Sequence, residues 1–173
     1  MTAGAVLAAS QWTDPGGPEA AAVILAFLGE VGIAVESAPV GEALLGGIAI
    51  AGGRIRVDPA IPVPPGDLLH EAGHLAVVEP DRRMTMDDPG NDPGEEMAAL
   101  AWSAAAAKAC GLPLAVVFHP HGYLGGGEAL ATAYARATGP GIPMLAWFGM
   151  TAEPCRAAES DLAAFPAMAR WLR

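Results

Sequence analysis

A chain of 173 residues with 9 basic and 19 acidic side chains carries a formal charge of −10, and its only lysine is Lys108. That balance lacks the clustered Lys and Arg that neutralise phosphates, which argues against nucleic acid and anionic membrane surfaces as partners. Two cysteines, Cys110 and Cys155, are too few for a disulfide scaffold or a thiolate metal knuckle.

One domain with a real core is expected at this length. The opening MTAGAVLAASQW has no basic region and too short an apolar core for a secretory signal. No run of 18 apolar residues predicts a membrane span, so a cytoplasmic protein is expected. Residues 1–17 read as a flexible arm ending in DPGG, ahead of a single domain over 18–173. Pro18 and Glu19 open a mostly buried helix, EAAAVILAFLGEVG, that ends near Gly29 or Gly32. Ile33–Val35 reads as a short extension, and residues 37–43 are ambiguous.

Ile48–Ile50 and Ile55–Val57 flank Gly52-Gly53, a pair that tolerates the positive φ of a tight hairpin. Ile55 and Val57 fall on one face, with Arg54 and Arg56 on the other. Asp67 is expected to cap a helix from about Leu68 to Val78 that stops before Pro80. Residues 79–94 read as a polar loop. A helix then runs from about Glu95 to Cys110, closed by Gly111. AVVFHP, 115–120, reads as a strand or an extended entry to the glycine-rich HGYLGGG, and Glu128–Ala137 as helical. Trp147, Phe148 and Met150 suit core packing, with a pocket wall as the other use.

The stretch GDLLHEAGHLAVV, 66–78, raises the chemical question. His70 and His74 are four apart, so on a helix both imidazoles share a face and can reach one ion. Glu71 points about 100° aside, where a carboxylate can take a proton from water that the ion activates. The rest of the helix is apolar, and such a helix does not hold two histidines and a glutamate without partners. Gly73 weakens it further unless another element packs very close.

A third ligand is needed. Glu95 and Glu96 open the next helix, which can return antiparallel to the first. Glu96 stands over Ala99, Leu100, Ser103 and Ala107, and Glu95 over Ala98, Ala99, Trp102 and Ala106. Both turn inward, and the small alanines permit a close helix approach. Glu96 is preferred and Glu95 stays open. The plain alternative is an acidic first turn favoured by the helix dipole.

HEAGH followed by GEEMAALAW, 94–102, resembles the glutamate zincins. The order of hairpin, HEAGH and a helix opening with Glu is similar to the small ImmA/IrrE-like metallopeptidases, over about residues 46–110. The resemblance implies a compact α+β zincin-like domain, its small hairpin or sheet packed on the histidine helix and on a following Glu-bearing helix. It implies zinc on His70, His74 and Glu96, with Glu71 as the base. It also implies an edge strand, Ile48–Ile50 or Arg54–Val57, that pairs with an extended peptide. Where the family commonly has Asn or Asp two positions after the ligand, Ala98 follows Glu96, which keeps Glu95 in play. A donor for the oxyanion is expected at His121 or Tyr123. The function read from all this is a zinc metallopeptidase acting on a peptide or protein substrate. The alternatives are a zinc-bearing regulatory or binding protein and a metal-free structural or interaction protein.

Overall fold

The computed structural model describes residues 2–41, 46–120, 122 and 126–173. The expected flexible arm is structured from Ala3 onward. Thr2 caps a short helix, α1 (Ala3–Ala9), and Val6 on it is wholly buried. Strand β1 (Gln11–Trp12) pairs in parallel with β5 (Pro62–Val63), and the Trp12 indole donates to Leu7 O at 3.1 Å. An alanine-rich turn with a threonine cap is helical on its own propensity, and Val6 gives it an apolar anchor. Helix α2 (Gly17–Val31) has Pro18 in its first turn and ends on Gly32, whose φ of 91° suits glycine.

The chain beyond Gly32 forms β2 (Val35–Ser37), where a short extension and an ambiguous stretch are expected. The hairpin forms as its glycines predict, from β3 (Ile48–Ala51) and β4 (Arg54–Val57). Gly52 and Gly53 take φ of 57° and 71°, the two positive values of a tight hairpin turn. The strand order is β2-β4-β3, with β2 parallel to β4. Ile55 and Val57 are buried, while Arg54 and Arg56 meet Glu36 of β2 on the wet face. β3 is therefore an edge of this sheet.

Helix α3 (Gly66–Val77) begins two residues earlier than a cap at Asp67 would allow. Pro65 precedes it, and Asp67 lies inside the first turn, buried against His119. Gly66 lets this turn touch the backbone of Val116, since a Cβ there would lie 1.9 Å from Val116 O. The polar loop after α3 contains a helix, α4 (Pro80–Met84), started by its proline. Arg83 from α4 folds back, and its guanidinium donates to the carbonyls of Leu75, Val78 and Arg173. It thereby satisfies orphan acceptors at the end of α3.

Helix α5 (Pro93–Ala109) is capped by the Asp92 carboxylate, which accepts from Gly94 N and Glu95 N. It is buried all round from Ala98 to Ala107 and reaches water at Lys108. A helix without a polar face belongs at the centre of a fold, and α5 packs against α3, α6 (Leu114–Val117), α7 (Gly127–Ala135) and α8 (Ile142–Trp147). Residues 114–117 are this short helix α6, not the strand or extended entry expected, because Pro113 opens a helical turn. Behind α5, Trp102 sits with Phe27 and Trp171 in a tilted aromatic cluster, and its indole donates to Trp171 O. The architecture is mixed α+β, with small sheets at one side of a helical core. No helix among the described residues is long and apolar enough to cross a membrane.

The two site-bearing helices meet most closely at Gly73 of α3, against Ala99 of α5. A Cβ at Gly73 would lie 2.6 Å from Ala99 O and 3.0 Å from Ala99 Cα. Backbone cannot step aside as a side chain can, so the helices would have to part. Gly73→Ala should therefore destabilise the metal-free protein by about 1–2 kcal/mol, although alanine is the better helix former. Urea unfolding of the two proteins checks this, and a more stable variant would contradict the close crossing.

Candidate metal site

The crossing sets the register of the two helices. Leu69 O lies 2.9 Å from the Ser103 hydroxyl, Gly73 faces Ala99, and His74 faces Glu96. As numbers rise on α3 they fall on α5, so the pair is antiparallel. Glu96, Ala99 and Ser103 form one stripe of α5 at helical spacing, turned to α3. The Ser103 hydroxyl is also 2.7 Å from Ala99 O, so it ties α3 to α5 rather than serving as a nucleophile.

The resulting cluster is His70, His74 and Glu96, whose ligand-type atoms all lie within 4.8 Å of one another. The two Nε2 atoms are 3.2 Å apart. Glu96 Oε2 is 3.2 Å from His74 Nε2, and Oε1 is 3.8 Å from His70 Nε2. Two ligands at zinc–nitrogen distance in a tetrahedral shell are separated by about 3.3 Å. The donor set therefore fits a small divalent ion with little movement. Two imidazoles and a carboxylate suit catalytic zinc, and the same set also serves ferrous iron, whereas calcium and magnesium prefer oxygen alone.

Electrostatics favour the metal-ready state. Burial pushes the His70 imidazolium down to about 4, helped by the charge of His74 and opposed by Glu96. His70 is thus neutral at pH 7 with a lone pair to give. Glu96 is held below its ordinary value, first by the hydrogen bond with His74. Glu71 is 7% exposed and accepts no hydrogen bond among the described residues. Burial pushes its carboxyl up to about 7, with His74 opposing and Asp67, Glu96 and Asp88 adding to the rise. A group near that value can both take and return a proton at neutral pH.

The two glutamates differ in their partners, and it is Glu96 whose carboxylate faces the histidines. Glu95 lies one residue off the stripe, where its carboxylate pairs with Arg82 of α4. Arg82 also donates to Pro89 O, which fastens the loop to the start of α5. His121 and Tyr123, expected to donate to an oxyanion, lie outside the described residues. Trp147 does not pack in the core: it is 86% exposed, whereas Met150 is wholly buried. The cysteines are free, with Cys110 half-buried and Cys155 exposed.

One buried pair was not legible beforehand. His119 Nε2 lies 2.9 Å from Asp67 Oδ1, and both residues are buried. Burial raises the Asp67 carboxyl, with the His119 hydrogen bond opposing. Asp67 sits one turn before Glu71 on the same face of α3. Its position inside an apolar helix start was the available signal, but the capping role accounts for an Asp there just as simply. No protein-family model matches the chain, and no curated protein or solved structure matches it either.

The Glu71 shift has a consequence for the metal-free protein. The folded state keeps its proton up to about pH 7, whereas the ordinary value is 4.5. Between those values the unfolded chain has released a proton that the fold retains, so this group's contribution falls as pH rises. His70 has the opposite sign, because its folded value lies below its ordinary one. A Glu71→Gln variant removes only the first effect. Relative to wild type, it should gain about 3 kcal/mol of stability between pH 4.5 and pH 7.5 in chelator. Denaturant titrations at both pH values measure the difference, and an unchanged difference would place Glu71 in water.

Proposed function

We propose that the protein is a zinc-dependent hydrolase, zincin-like in layout, that cleaves peptide or amide bonds. The observation that carries this reading is the convergence of His70, His74 and Glu96 from two tightly crossed helices beside a buried Glu71 that has no hydrogen-bond partner among the described residues. The order of hairpin, histidine helix and Glu-bearing helix supports the zincin likeness. When bound, a zinc ion would supply a Lewis acid for a carbonyl and would acidify water at neutral pH.

The chain's own groups have distinct tasks. His70 and His74 present their ring nitrogens on one helix face, and Glu96 adds the charge of a carboxylate from the other helix. Glu71 takes the proton of the attacking water and passes it to the leaving nitrogen, which its value near 7 suits. Glu71 favours zinc hydrolysis over the iron chemistry open to the same ligand set, since a buried base is needed for the former. The edge position of β3 supports a polypeptide substrate, because an extended chain can add backbone hydrogen bonds there. A cytoplasmic setting agrees with two free thiols.

Three outcomes follow. Protein purified without chelator should carry close to one zinc per chain, measured by elemental analysis. Glu96→Gln should weaken zinc by more than about 100-fold in a competition titration, while Glu95→Gln changes it little. Glu71→Gln should keep the zinc and lose at least about 100-fold in hydrolysis of an unstructured protein substrate. Full turnover by a zinc-loaded Glu71→Gln variant would refute the role of the base.

A further inference from the structure

We propose that the cleft beside Trp147 binds a single basic side chain, Arg or Lys, presented by a polypeptide partner. The cleft encloses about 300 Å3 and lies between α8 and the 3-10 helix Pro154–Glu159. That volume is at the low end of small-ligand sites and suits one long side chain. The inference does not depend on the metal site, although α8 leans on the turn of α5 that carries Glu96. Gly141 presses on Met97 O there, and Met144 on Gly94.

Three features select the occupant. First, α8 buries Ile142 and Leu145 and turns Pro143, Ala146 and Trp147 outward into the cleft. The Trp147 ring is 86% exposed, so an indole face is open to a ligand. A cation over an indole is the best of the cation–aromatic contacts. Second, the charge in the cleft is net negative. Arg156 is matched by Glu159 at 3.4 Å, which leaves Glu153 without an ion pair among the described residues. Third, the neutral polar wall is partly engaged already, because the Thr151 hydroxyl donates to Ala167 O at 2.7 Å and the Ser160 hydroxyl oxygen accepts from Leu162 N. An anion would meet Glu153 and find its only cation occupied. A purely apolar ligand would desolvate three charged groups. A basic side chain answers both constraints, and the −10 charge of the chain draws such partners in.

The test uses the full chain carrying Glu71→Gln, so that no peptide is consumed and the readout is binding alone. Trp147 is assigned among the four indole N–H signals by Trp147→Phe, a change at an exposed ring that leaves the core intact. Acetyl-Ala-Ala-Arg-Ala-Ala-amide should move the Trp147 signal saturably and leave that of buried Trp102 in place. The peptide with Glu in place of Arg should not move it. Glu153→Gln should weaken the Arg peptide about threefold and flatten its salt dependence. Equal response to both peptides, or an Arg-peptide response confined to other signals, would overturn the assignment. Because zinc and turnover do not enter the readout, failure here leaves the hydrolase reading standing, and failure of that reading leaves the cleft standing.

Discussion

Everything at the candidate site depends on two backbones touching. At Gly73 the α3 helix has no side chain, and α5 answers with Ala99, so the two backbones come too close to admit a Cβ between them. Glu96 is one turn from Ala99, and His70 and His74 bracket Gly73. A carboxylate is a short side chain. It spans the gap to both imidazoles only because the gap has been closed one residue away. A larger residue at either contact position would lift Glu96 off the histidines while leaving all three ligand types in the sequence.

The crossing is held from several directions. Ser103 ties the next turn of α5 to Leu69 O. Trp102, on an adjacent face, is wedged against Phe27 and Trp171. At the far end of α3, the guanidinium of Arg83 and the backbone N–H of Arg173 satisfy carbonyls that the helix leaves open. These contacts fix α3 at both ends and along one side. The polar side carries His70, Glu71 and His74, and in a chain this apolar their burial is costly unless a ligand compensates it. The shifted values of His70 and Glu71 express that cost as protonation states suited to donating lone pairs and moving protons.

Much of this was legible in the sequence, for reasons that differ by residue. Gly52-Gly53 announces the hairpin because the turn needs two positive φ values. The i, i+4 histidines announce a shared helix face, on which their Nε2 atoms then meet at 3.2 Å. Gly73 signals a close neighbour because a mid-helix glycine is otherwise a loss. The choice between Glu95 and Glu96 was only half legible. Their helical stripes differ by one residue, and the decisive partner of Glu95 is Arg82, inside a loop whose helix α4 has little periodicity to read. The helix in the N-terminal arm leaves little pattern to read, because α1 is short and its anchor Val6 is a single residue. At Asp67 a cap and a buried partner of His119 look alike in sequence until the chain from α6 lies beside α3. At Trp147, composition does not say which side of a six-residue helix faces water.

X-ray absorption at the zinc edge of the reconstituted protein tests the proposed shell of two imidazoles and one carboxylate most directly. The expected spectrum shows nitrogen and oxygen at about 2.0–2.1 Å, with the outer-ring scattering of two histidines and no sulfur. A shell containing sulfur, a shell of oxygen alone, or a spectrum with one imidazole or none would contradict it.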